Sequence, residues 1–217
     1  MTLLTYDELN ASAFDAERHG YKRLAAQRFD AAAAATDDHV SKAEALQLAG
    51  VNWRSTGAHQ ESDSRFAAAY RLASLAQQPC LADAILRDWA MLRADQGNLE
   101  EARYKLLAAR SAQLQRGELL ETACTEGFLG RVHWLQGQRA EALSLFASAD
   151  RGLASKPDWR LNNAIWWMKA CDFWGRLVLA PRTITLAYQS GYRRRAAEAL
   201  ALLVGGNRLY DRLRANM

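Results

Sequence analysis

The chain has 217 residues, half of them hydrophobic and only 3 of them proline, with a formal net charge of +4. That length can bury a core without disulfides or metal, and that composition excludes an intrinsically disordered chain. The charge is uneven: residues 176–217 carry eight arginines against Glu198 and Asp211, a local +6 that leaves residues 1–175 at −2.

Arginine supplies 23 of the 28 basic residues, which fits a GC-rich bacterial or phage genome. Cys80, Cys124 and Cys171 are odd in number, widely spaced and without a C-x-x-C pair. They read as free thiols in a reducing cytoplasm rather than as a disulfide framework. The first residues, MTLLTYDELN, lack the basic and apolar regions of a signal peptide, and no window approaches 18 apolar residues, so neither secretion nor a membrane span is expected.

Alanine-rich runs and few β-branched residues favour helix throughout. In chain order the expected helices are 5–18, 22–36, 41–56, 60–76, 80–95, 99–115, 119–135, 139–153, 158–174, 181–190, 193–204 and 207–215. Thr5 with Glu8, Ser41 with Glu44 and Asn98 with Glu101 are candidate capping boxes. Gly20, Gly57, Gly97 and Gly137 fall where one helix must stop and an antiparallel partner start, a place for positive φ.

These four glycines head near-copies of one pattern, spaced by 37, 40 and 40 residues. Seven residues before them sit Ala13, Gly50, Ala90 and Gly130. Five after sit Ala25, Ser62, Ala102 and Ala142; nine after, Phe29, Phe66, Leu106 and Phe146; twelve after, Ala32, Ala69, Ala109 and Ala149. Two helices approach to about 8 Å only where the crossing residues are small. The small residues therefore mark the crossing and the large one fills the gap beside it. Gly175 heads a weaker fifth copy, with Met168 at a small position and Pro181 breaking the second helix near its start.

A repeat of this period implies stacked helical hairpins. The pattern resembles the tetratricopeptide repeat family over residues 5–190, best in 86–109 and 126–149. The resemblance implies an all-α, right-handed superhelical solenoid of antiparallel helix pairs. Residues 1–190 would form about five hairpins, with turns at Gly20, Gly57, Gly97, Gly137 and Gly175. Residues 191–217 would form a basic pair of capping helices, split at Gly205 and Gly206, since an open repeat array exposes its last apolar face.

The family's inner-facing positions lie about ten, six and three residues before each turn. They give Gln47, Val51, Arg54, Arg87, Met91, Arg131 and Trp134 as partner-binding residues on a concave face, suited to a peptide with acidic residues. The lysine–asparagine clamp by which some family members hold a C-terminal carboxylate is not matched here. Four tryptophans, Trp159, Trp166, Trp167 and Trp174, crowd one expected helix, with Trp167 and Trp174 on a shared face. With the run Arg193-Arg194-Arg195 they form a second possible interface, and terminal homodimerisation is one use for it.

His19, His39, His59 and His133 are scattered, with no metal-ligand spacing, no phosphate-binding loop and no nucleophile elbow. No catalytic residue, metal or cofactor is expected. The function read from the sequence is a non-enzymatic protein- or peptide-binding scaffold. The alternatives are a peptide-sensing intracellular regulator of the tetratricopeptide type, and a nucleic-acid-associated adaptor acting through the basic C-terminus.

Overall fold

The computed structural model describes residues 4–215, and they are helical. The helices are α1 (Tyr6–Arg18), α2 (Lys22–Ala34), α3 (His39–Ser55), α4 (His59–Leu75), α5 (Pro79–Asp95), α6 (Leu99–Gln115), α7 (Leu119–Leu135), α8 (Arg139–Gly152), α9 (Pro157–Ala170), α10 (Phe173–Gln189) and α11 (Arg193–Ala215). Packing divides the chain into two units, 1–109 and 110–217, with the division inside α6. In the second unit α11 packs on both α10 and α9.

The turns follow one hydrogen-bonded pattern. Gly20, Gly57, Gly97 and Gly137 have φ between +77° and +82°. The residue after each donates to a carbonyl five positions back, as in Tyr21 to Ala16 at 2.9 Å and Gln138 to His133 at 2.9 Å. This closure satisfies the last carbonyls of the helix and turns the chain sharply. Gly117 and Gly191 repeat it between hairpins, at φ +71° and +74°. At the α4–α5 turn the same geometry falls on Gln77, at φ +54°.

Gly175 departs from expectation. The α9–α10 turn is made by Cys171 and Asp172, and the Asp172 carboxylate accepts from the Gly175 amide at 2.9 Å. Gly175 thus sits in the first turn of α10, where a Cβ would meet Cys171 at 2.9 Å. Trp167 and Trp174 consequently lie on different helices. Pro181 does not break α10 either. It lies on the solvent side, where the Leu177 carbonyl deprived of its donor can bond water. Gly206, at φ +62° and ψ −160°, interrupts α11 where the glycine pair was expected to split it.

The N-terminal caps are partly as read. Thr5 and Glu8 form a reciprocal capping box, which holds the Glu8 carboxyl below its ordinary range. The cap of α3 is Asp38 rather than Ser41: its carboxylate accepts from the Ser41 amide at 2.8 Å and is likewise held low. Glu101 pairs with Arg93 at 3.0 Å.

Within each unit the core follows the repeat. In 1–109, Phe29 packs among Ala13, Ala16, Ala25, Ala49 and Trp53, and Phe66 among Ala43, Ala69, Ala73, Ile85 and Leu92. A Cβ on Gly50 would lie 2.9 Å from the Phe66 ring. In 110–217, a Cβ on Gly130 would lie 2.9 Å from the Phe146 ring. The first hairpin accepts Ala13 beside Phe29, whose ring packs edge-on against Phe14 at 5.1 Å.

Polar ties cross from hairpin to hairpin. Asp30 accepts from the Trp53 indole at 3.0 Å and from Arg65 at 2.9 Å. Asp63 accepts from the Trp89 indole at 2.6 Å and from Arg93. In the second unit Asp150 holds Arg160 at 3.1 Å and also Arg182, which joins α8 to α9 and α10. Glu126 joins Arg110 at 2.7 Å to Ser148 at 2.7 Å.

Gln77 is the one non-glycine residue with positive φ among the described residues. Relieving a side chain of the left-handed region is worth roughly 1–2 kcal/mol, less the added chain entropy of glycine. Gln77→Gly should therefore stabilise the chain by about 1 kcal/mol, read as a higher urea midpoint at unchanged slope.

Candidate functional site

In the first unit the predicted inner positions on α3 are tied to α5. The Gln47 amide donates to an Asp88 carboxylate oxygen at 2.7 Å. Arg54 donates to the Asp88 backbone carbonyl at 3.3 Å and pairs with Asp95 at 3.3 Å. Val51 is half-buried at the edge of the Phe66 core. Arg87 is 6% exposed and Met91 is 1% exposed. Both are packed into the unit, because α5 turns Ile85, Arg87, Met91, Leu92 and Ala94 inward together. Asp88 and Asp95 were not among the sequence-read positions, and they are the acceptors that organise this face.

In the second unit α7 and α9 meet closely. A Cβ at Gly127 would lie 3.0 Å from the Asn163 side chain, whose amide donates to the Phe146 carbonyl at 2.9 Å. This approach brings the inner positions of α7 onto aromatic residues of α9. The Trp134 and Trp166 rings pack edge to face at 5.7 Å and 65°. The Arg131 guanidinium lies 4.1 Å from the Trp166 ring centre and 5.5 Å from Phe128. The Lys169 ammonium lies 4.6 Å from Trp166, 5.4 Å from Trp134 and 4.5 Å from Tyr210.

Two cations thus share one indole. Each is attracted by the ring's negative face, and each is less hydrated there than in open water. Lys169 is 9% exposed and pairs with Asp211 at 3.5 Å. The α11 segment after Gly206 completes the cluster: Tyr210 is buried against it, and the Asn207 amide donates to the Lys169 carbonyl at 3.3 Å. The arrangement concentrates positive charge on half-buried aromatic surface, the chemistry that holds carboxylate and apolar groups together.

The other predicted interface residues are dispersed. Trp166 belongs to the cluster just described. Trp167 is half-buried between two core groups. Trp159 is exposed. Trp174 stands in solvent against Phe173, with ring centres 5.5 Å apart. Arg195 is engaged by the buried Glu198 at 2.8 Å, Arg194 is exposed, and the side chain of Arg193 lies outside the described residues.

Burial, helped by Asp172 and opposed by Arg139 and Arg176, pushes the Cys171 thiol above its ordinary value and away from thiolate. Among the described residues no three His, Cys, Asp or Glu side chains gather as a metal site. No helix among them is long and apolar enough to cross a membrane.

No family model and no curated protein matches the chain. Solved structures match it in fold. A Rap protein complexed with competence and sporulation factor aligns over 100% of this chain with a TM-score of 0.81 at 15% identity. A kinesin light chain of Podosopora anserina, built of nearly identical TPR-like repeats, aligns over 96% of this chain and 94% of its own, with a TM-score of 0.56 at 15% identity. The fold is tetratricopeptide-like. Aspartyl phosphate phosphatase F from Bacillus subtilis shares this tetratricopeptide-like fold over 96% of the present chain, with a TM-score of 0.67 at 11% identity. The chain spans 65% of the Rap protein's length and 59% of the phosphatase's.

The shared indole should couple the contributions of Arg131 and Trp166 to stability. A double-mutant cycle of Arg131→Met and Trp166→Leu should show a coupling of about 1 kcal/mol in urea denaturation, the size of a partly desolvated cation–ring pair. Strictly additive losses would mean that the two side chains do not interact.

Proposed function

We propose that this chain is a non-enzymatic protein- or peptide-binding scaffold of the cytoplasm. Its ligand lies on the inner positions of α7 and α9 in the second unit, and Arg131 and Trp134, with Trp166, make the principal contacts. The observation that carries this reading is the pair of cations held on the Trp166 ring in the second unit. Arginine and tryptophan in a partly desolvated setting dominate interface energies elsewhere. The cluster favours an acidic ligand that also carries an apolar or aromatic residue. In the first unit Gln47 and Arg54 are held by Asp88 and Asp95 of α5. Arg87 and Met91 serve as packing in this reading, since a residue so deeply buried has little surface to give.

A peptide-sensing regulator is the second reading. It is supported by the likeness in fold to a Rap protein captured with competence and sporulation factor. An adaptor that uses the basic C-terminus on nucleic acid has less support. Arg176 donates to the Met168 carbonyl at 3.0 Å, Arg182 pairs with Asp150, and Arg195 pairs with Glu198.

Selection from a displayed random-peptide library tests the first reading. The natural chain should enrich peptides that place Asp or Glu beside an apolar residue. The variant Arg131→Ala with Trp134→Ala should lose at least about tenfold in affinity for them, roughly 1.4 kcal/mol, with its helical circular dichroism unchanged. Equal affinity in the variant would remove these residues from the binding face.

A further inference from the structure

We propose that the outer face of α10 is a self-complementary surface that pairs with α10 of a second copy of this chain, antiparallel and centred on Pro181. The exposed side chains of α10 are Phe173, Trp174, Leu177, Val178, Pro181, Thr185, Tyr188 and Gln189. None is charged. Other second helices in the chain differ: the exposed positions of α4 include Glu61 and Arg71, and those of α8 include Arg139, Glu141 and Arg151. The two arginines of α10 itself, Arg176 and Arg182, are turned to partners within the fold. A helix face of this kind, with Trp174 71% exposed and Val178 78% exposed, is poorly suited to water alone.

The spacing selects the occupant. Trp174, Val178, Pro181, Thr185 and Tyr188 run seven, three, four and seven residues either side of Pro181, on one stripe of the helix. A two-fold contact requires residue i to meet j while j meets i. An antiparallel pair centred on Pro181 satisfies this, with each Trp174 over the partner's Tyr188 and each Val178 beside the partner's Thr185. Pro181 at the axis leaves room for close approach.

The area also fits. Residue-sized areas of about 150–250 Å² for the large side chains put the exposed parts of Phe173, Trp174, Leu177, Val178 and Tyr188 on the order of 600 Å². Specific interfaces take about 600–1,000 Å² from each partner, and this face supplies the lower end of that range. A partner helix with acidic residues would meet no charge on this stripe. The exposed arginines of the C-terminal region, Arg194, Arg208 and Arg212, lie on α11. An uncharged and nearly symmetric stripe therefore fits a second copy better than an acidic partner.

The mass of the full chain in solution, by light scattering and sedimentation, tests the pairing. At about 100 μM the natural chain should have twice the 24.2 kDa chain mass, and Val178→Glu should be monomeric with the same helical content. In a Cys80→Ser background, Pro181→Cys should form a disulfide-linked dimer readily, whereas Glu141→Cys, exposed on α8, should not. A monomeric natural chain, a Val178→Glu variant that stays dimeric, or equal cross-linking at 181 and 141 would each overturn the proposal. So would a monomer that co-sediments with phosphatidylserine vesicles through Trp174, which would make the face a membrane-contacting surface.

Discussion

Everything else in this chain depends on how closely the two helices of a hairpin approach. That distance is set by a small residue on the first helix and a large one on the second. Where the large residue is Phe66 or Phe146, the small one is Gly50 or Gly130, and a single added carbon would lie 2.9 Å from the ring. Where it is Leu106, Ala90 suffices, as Ala13 does beside Phe29, and all four of these large residues are fully buried. The contact fixes the rotation of each helix about its axis. Rotation in turn decides which side chains face the neighbouring hairpin and which face solvent.

This rotation explains why the two units treat their inner positions differently. In the first unit α5 buries Arg87 and Met91, and α3 places Gln47 and Arg54 on the Asp88 and Asp95 edge of α5. The polar capacity of that face is largely used in holding helices together. In the second unit the close passage of α7 at Gly127 lets Arg131 and Trp134 reach Trp166. Charge there lies over aromatic rings, with Lys169 also paired to Asp211. The same chain region also leaves α10 with an uncharged outer face, so the features particular to this molecule gather in residues 127–212.

Much of the fold was legible because its signals are local. The four turn glycines, the small and large positions around them, the Thr5–Glu8 box and the break at the glycine pair all act within about a dozen residues. The fifth turn was misplaced because Gly175 was read as a backbone device, whereas close packing against Cys171 requires it. Pro181 was read as a helix breaker without knowing that its missing donor falls on the solvent side. Gln77 was invisible as a turn residue, since nothing in its side chain announces a positive φ. The inner positions were countable from the turns, but the burial of Arg87 and Met91 depends on the rotation of α5. Lys169 and Tyr210 were missed because they meet only through a contact 41 residues apart, created by the kink at Gly206.

The reciprocity of small and large residues at the crossing can be measured directly by a stability cycle on Gly130 and Phe146. Gly130→Ala alone should cost about 1–3 kcal/mol by overpacking the ring. Phe146→Leu should recover much of that cost when added to Gly130→Ala, because alanine with leucine is the pair that Ala90 and Leu106 already use. A recovery of at least about 1 kcal/mol relative to additivity supports the account. Additive losses, or a Gly130→Ala variant as stable as the natural chain, would contradict it.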